Sequence, residues 1–293
     1  MNDDARTGTD ATPRTAFRHA RRRPQRSLLL VLVLALTVAA GLFGAAATAS
    51  ASSRDRPKPT VVLVHGAFAD ASGWNDVVAR LQSDGYPVLA PANPLRGVAS
   101  DSAYLAGILQ TVTGPVVLVG HSYGGVLITN AATGNPNVKA LVYIAAFAPA
   151  EGDTVGGLQD KFTGSKLNFE ALDVRPITDI DGKPSYDAYV KAAVFRDIFA
   201  ADLPRKTTAV MAATQRPADV HTLGQLSGVP AWKTIPSGYL VAKADNLIPA
   251  AAQRFMAQRA GARTVEINSS HVAMMSNPGP TTELIQRMAR STR

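Results

Sequence analysis

One serine between glycines, with histidines and acids far from it in the chain, could together carry out acyl transfer. The serine is Ser122, in Gly120-His121-Ser122-Tyr123-Gly124. A serine hydroxyl is a poor nucleophile near neutral pH unless a base takes its proton. After residue 51 the chain offers His65, His121, His221 and His271. His65 precedes Gly66 in a turn and is read as shaping that loop. His121 adjoins the serine, but neighbours at a sharp turn point different ways, so it is read as packing. His221 lies in a stretch without strand pattern. His271, in Ser269-Ser270-His271-Val272, follows the last apolar run, where a loop can drop an imidazole over the serine. The base needs a carboxylate to hold its tautomer and to stabilise the imidazolium. Asp245, in Ala244-Asp245-Asn246-Leu247-Ile248-Pro249, is the first choice, with Asp153 and Glu151 as fallbacks.

The elements around Ser122 have the order this chemistry needs. Pro115-Val116-Val117-Leu118-Val119 reads as a strand, and Gly125 to Ala132 as a buried helix. G-x-S-x-G at the turn between them is a nucleophile elbow. Its serine must take a strained backbone conformation, and a Cβ at position 120 or 124 would collide as the helix folds back. The helix start then offers the Tyr123 N–H to a developing oxyanion. A second donor is expected from Ala67, after His65-Gly66. Phe68 and Tyr123 are expected to line an apolar substrate pocket.

Around this elbow, strands alternate with helices. Thr60–Val64, Pro87–Ala90, Val138–Phe147, Gly238–Ala242 and Thr264–Ile267 read as strands. Helical patterns start at Gly73-Trp74 and cover Pro249–Ala260 and about Thr281 to Arg290, and Asp101 is read as the cap of another. Continuous β-branched runs suit a parallel sheet covered on both faces. The rhythm lapses from Ala150 to about Pro230, which is read as an inserted, largely helical cap with helices around Tyr186–Phe199 and Thr207–Ala213. Ligands of such sheets lie at the carboxyl ends of the strands. Ala67, Ser122, Asp245 and His271 all follow predicted strands and are expected to meet there.

The first fifty residues belong to neither layer. Arg18, Arg21, Arg22, Arg23 and Arg26 precede an uncharged apolar run, Leu28–Phe43, and two A-x-A sites end at Ala49 and Ala51. That order reads as a secretory signal peptide over residues 1–51, with export of the remainder. The alternative is an uncleaved membrane anchor. A twin-arginine signal fits poorly, because Pro24-Gln25 follows the arginines. Residues 52–59 read as a linker and 60–293 as the catalytic domain. The leader holds seven Arg and three Asp, a net +4 and half of the formal +8. What remains is mildly basic without a Lys/Arg run, which argues against a nucleic-acid partner. With no cysteine, disulfides, lipid-modified cysteines and Cys₄ zinc sites are excluded. No metal-ligand cluster is visible, and no cofactor is expected.

From about Thr60 to Ala289 the chain resembles the α/β-hydrolase-fold serine hydrolases. It is similar to the branch holding methyl-ester esterases and hydroxynitrile lyases. The matching pieces are Val64-His65-Gly66-Ala67-Phe68, Gly73-Trp74, Gly120-His121-Ser122-Tyr123-Gly124-Gly125, Ala244 to Pro249, and His271. The order Ser122, Asp245, His271 is the order of that fold. The resemblance implies a cofactor-free enzyme that cleaves carboxylic esters or lactones, with a small apolar ester as substrate. Lyases of the branch carry a lysine after the catalytic histidine, and here Val272 stands there. A dehalogenase would have Asp in place of Ser122. Haloperoxidase-like chemistry and a non-catalytic binding protein on the same scaffold are the alternatives.

Overall fold

The computed structural model describes residues 57–179 and 181–292. The expected leader, its cleavage sites and most of the linker lie outside the described residues. Six parallel strands form the main sheet: β1 (Thr60–Val64), β2 (Val88–Leu89), β3 (Val116–His121), β4 (Val138–Ile144), β8 (Ser237–Ala242) and β9 (Arg263–Ile267). Their order is β2-β1-β3-β4-β8-β9. The chain winds one way from β1 to β2 and the other way from β3 onward. Between β1 and β3 the winding therefore reverses, and a crevice opens at the carboxyl ends of the two strands.

The central strands are apolar on both faces because helices cover both. β3 and β8 are buried along their whole length. Helices α1 (Asn75–Ser83), α2 (Val98–Gln110), α3 (Gly124–Ala131), α7 (Ala250–Arg259), the short α8 (Ala273–Ser276) and α9 (Pro278–Arg290) form the outer layers. α1 buries Val77 and Leu81, while α9 buries Leu284, Ile285 and Met288. α9 starts at Pro278, three residues before the expected start, because proline lacks an N–H and fits a first turn. The edge strand β9 is half-exposed and charged, with Glu266 taking two bonds from Arg254. Charge of this kind discourages edge-to-edge pairing.

Two expectations are corrected. Asp101 does not cap α2. The helix begins three residues earlier with Gly97 at the cap, and Asp101 is fully buried in its first turn. Its carboxylate folds back onto the amides of Arg96 (3.1 Å) and Gly97 (3.3 Å). The second correction concerns the segment between β4 and β8. It contains α4 (Val155–Asp160), α5 (Ala192–Phe199) and α6 (Arg205–Ala213), but also an antiparallel sheet of β5 (Leu172–Thr178), β6 (Pro184–Val190) and β7 (Ala218–Asp219). Tyr186 and Tyr189, three apart, suggest a helix face, yet they lie on a strand. Asp181-Gly182 supplies the turn: Gly182 has φ +78°, and the Asp179 carboxylate accepts from the Asp181 and Lys183 amides. Tyr189 then stacks against the Arg175 guanidinium across the hairpin, at 4.4 Å.

Candidate active site

Ser122 directly follows β3 at φ +52°, a left-handed conformation that costs a non-glycine residue on the order of 1–3 kcal/mol. The surrounding backbone enforces it. A Cβ on Gly120 would lie 2.6 Å from the Gly124 carbonyl oxygen, at the start of α3. A Cβ on Gly124 would lie 2.5 Å from the Val64 carbonyl oxygen of β1. The first glycine lets the helix fold back, and the second lets it approach the neighbouring strand. Among the described residues the Ser122 side chain makes no hydrogen bond, and neither the Ala67 nor the Tyr123 N–H donates one. All three residues line a cavity of about 310 Å³. Phe68, Phe147 and Leu247 line it from the hydrolase body, while Val155, Leu167 and Ala188 line it from the β4–β8 segment. The predicted pocket residues Phe68 and Tyr123 are thus both on its wall. Of the aromatics in the inserted segment, Phe169 lines the cavity, whereas Phe195 and Phe199 are fully buried core.

Asp245 and His271 meet because β8 and β9 are neighbours. The loops after them are bonded directly: the Ala244 N–H donates to the Ser269 carbonyl at 3.1 Å. His271 Nδ1–H donates to Asp245 Oδ2 at 2.8 Å, and neither side chain is exposed. The carboxylate is fixed further by the amides of Leu247 (2.7 Å) and Ile248 (2.9 Å) and by Gln253 Nε2 (2.8 Å). Its four acceptor contacts are therefore committed before any ligand arrives. With Nδ1–H held this way, Nε2 of the neutral ring is the acceptor. It is buried and has no partner within hydrogen-bond range. The Ser122–His271 hydrogen bond is not closed. Bonds of this type tighten in the substrate complex. The fallback acids are elsewhere: Asp153 accepts from Arg259 at 2.6 Å, and Glu151 faces Lys233 at 3.9 Å.

His121 packs as expected but also does more. Its ring lies 4.6 Å from that of His271, and its Nε2–H donates to the His271 carbonyl at 2.9 Å. Complete burial, with the neighbouring His271 adding to it, lowers its pKa well below the histidine range, so the ring is a neutral spacer. His65 is also buried, and burial lowers its pKa. Its Nε2 accepts from the Asn93 amide at 2.8 Å, bracing the Ala67 loop. Asp101 and Gln253 have no legible signal in the sequence. Asp101 accepts from the Tyr123 hydroxyl at 3.1 Å and so orients a cavity residue. Burial raises the pKa of both Asp101 and the Tyr123 phenol. Among the described residues, no group of three or more His, Cys, Asp and Glu side chains gathers as a metal site.

A strained serine over a cavity, two amides without partners and a buried Asp–His pair at one sheet edge are the features of an α/β hydrolase. Residues 61–284 match the alpha/beta hydrolase family, and the chain belongs to it. It is 27% identical over 249 residues to a pyrethroid hydrolase of Sphingobium wenxiniae, covering 78% of this chain and 87% of that one. A shorter match, 35% identical over 113 residues, joins 34% of this chain to 47% of a carbendazim hydrolyzing esterase of a Nocardioides species, so it spans about half of that relative. Among solved structures, polyneuridine aldehyde esterase has the same fold. Its TM-score is 0.68 at 18% identity, over 79% of this chain and 99% of that one.

Proposed function

We propose that this protein is a serine hydrolase that cleaves small apolar carboxylic esters or lactones through an acyl-enzyme. Ser122 Oγ attacks the carbonyl carbon while His271 Nε2 takes its proton. The carbonyl oxygen becomes an oxyanion held by the Ala67 and Tyr123 amides. His271 returns the proton to the leaving alkoxide, and the alcohol departs. Water then attacks the acyl-enzyme with His271 again as base, releasing the acid and Ser122. Asp245 keeps Nδ1 protonated throughout and stabilises the imidazolium.

The observation that carries this reading is the orientation of the buried Asp245–His271 pair. The carboxylate occupies Nδ1 and leaves Nε2 free of any partner. An apolar substrate is supported by the lining of the Ser122 cavity. Ester chemistry is supported by relatives named pyrethroid hydrolase and methylesterase. Val272, directly after His271, is buried and apolar, so it supplies no cation for lyase chemistry. Chromogenic esters of increasing acyl length, together with fluorophosphonate labelling, test the proposal. Turnover of short esters and covalent labelling at Ser122 are expected. Failure to label, with no ester turned over, would reject it.

Export belongs to the same proposal and rests on the sequence pattern of residues 1–51. The secreted protein is expected to start after Ala49 or Ala51. N-terminal sequencing decides it, and an intact Met1 on membrane-bound protein would favour the anchor.

A further inference from the structure

The loop that carries His271 is held from outside the hydrolase body. Asp202 lies in the turn between α5 and α6 of the inserted segment, 69 positions before the histidine. Its Oδ2 accepts from the Ser270 N–H at 2.8 Å and from the Ser269 hydroxyl at 3.4 Å. Its Oδ1 accepts from the Ser270 hydroxyl. Ser269 and Ser270 are buried, whereas Asp202 is exposed. Burial raises its pKa, but the Ser270 bonds outweigh burial and hold the carboxyl below its usual range. The turn itself is stiffened by Arg196, which donates to the carbonyls of Ala201 (2.6 Å) and Leu203 (3.3 Å).

The same turn touches the imidazole and the acid loop. Phe199, at the end of α5, packs edge-on against the His271 ring at 5.1 Å. The opposing contact is His121 at 4.6 Å. Two residues earlier, the Asp197 carbonyl accepts from Asn246, the neighbour of Asp245, at 2.8 Å. Residues 197–202 therefore grip both loops that carry the Asp–His pair.

We propose that Asp202 is a positioning residue: by tethering Ser269 and Ser270 to the inserted segment, it fixes His271 in the orientation that proton transfer with Ser122 requires. The inference rests on the reading of His271 as the base. Charge-assisted hydrogen bonds to the backbone N–H and the hydroxyl of a single residue restrain both translation and rotation of that residue. The next peptide carries the imidazole, and a misplacement on the order of 1 Å there can cost about 10²-fold in rate.

The test is a double-mutant cycle on a short chromogenic ester with Asp202→Ala, His271→Ala and the pair together. Asp202→Ala is expected to lower kcat by tenfold or more with KM within twofold, and to slow fluorophosphonate labelling in parallel. Ser270→Ala removes one of the bonds and is expected to lower kcat less, in the same direction. The thermal midpoint of Asp202→Ala is expected to fall, because the buried Ser270 N–H loses its acceptor, so rates are compared at a temperature well below it. In the His271→Ala background, Asp202→Ala is expected to have no further effect. An Asp202→Ala kcat within twofold of the parent, with His271→Ala inactive, would overturn the tether and leave the base assignment standing. An equal Asp202→Ala loss in both backgrounds would make the role merely structural and overturn it as well. A fully active His271→Ala enzyme would overturn the base assignment, and the tether with it.

Discussion

Two Asp–His pairs of nearly equal length sit in different regions of this protein, and only one is closed off from solvent. In the hydrolase body, Asp245 and His271 are 2.8 Å apart, and neither side chain is exposed. In the inserted segment, Asp219 and His221 are 2.9 Å apart, with the His221 side chain 60% exposed. A serine stands beside the second pair too. Ser185 Oγ lies 3.2 Å from His221 Nδ1 and donates to Asp219 Oδ2 at 2.6 Å. There, serine and carboxylate share one ring nitrogen, and the serine proton goes to the carboxylate. At His271 the carboxylate takes Nδ1 alone and leaves Nε2 for another partner. Residue types are the same in the two clusters, and the Asp–His distances nearly so. In both pairs the carboxylate engages Nδ1 and Nε2 makes no hydrogen bond, so the difference lies in burial: His271 is closed off, whereas the His221 imidazole is open to solvent, where a high dielectric weakens its pairing with Asp219.

The largest break in this comparison comes from the serines. Ser122→Ala is expected to lower kcat for esters by about 10⁴–10⁶ with the fold retained, whereas Ser185→Ala should change it by less than about threefold. Steady-state kinetics on one ester compares them, and comparable losses would put the chemistry in the wrong cluster. The acids come next. Asp245→Asn keeps the shape but permits the wrong tautomer, an effect of up to about 10⁴ in kcat. Asp219→Asn and Asp153→Asn should each cost less than tenfold, about 1.4 kcal/mol. A loss at Asp153 equal to that at Asp245 would contradict the Arg259 pairing seen here.

A smaller effect sharpens the role of the backbone. Gly124→Ala forces a methyl against the Val64 carbonyl and is expected to destabilise the fold by about 1–3 kcal/mol, read by urea unfolding. The counterpart Gly182→Ala, at the hairpin tip where an added Cβ meets nothing within 4 Å, pays only for its positive φ and should cost less.

The last expected effect is on the pH dependence of stability. His121 and His65 have folded-state pKa values below the ordinary histidine value of about 6.5. In the unfolded chain these rings take up protons as pH falls through that value, but in the folded protein they do so only at lower pH. Their contribution is therefore complete above about pH 6.5 and is lost as pH falls below it, by at most about 1.4 kcal/mol per pH unit for each ring. The thermal midpoint should drop between pH 6.5 and 5, and His121→Gln should flatten that slope. A midpoint that rises on acidification would contradict the buried, neutral assignment.

The sequence by itself determined the local devices. Ser122 between Gly120 and Gly124, after a β-branched run and before an apolar helix, has few alternatives to an elbow, because the sterics of that turn involve near neighbours only. The alternation of apolar runs and helical patterns likewise determined a parallel sheet with covered faces. Loops after adjacent strands then had to share an edge, which was enough to bring Asp245 to His271. The tertiary structure alone decided what depends on partners distant in the chain. Asp101 became a support for Tyr123 instead of a helix cap, because its carboxylate is buried against the elbow. Gln253 became the fourth partner of Asp245. The Tyr186–Val190 stretch became a strand because a hairpin partner was available, and short amphipathic segments take whichever period their neighbours can bury. The same reason explains why His221 and His271 are indistinguishable as letters. A histidine's chemistry is set by what faces each of its two nitrogens, and those groups come from other parts of the chain.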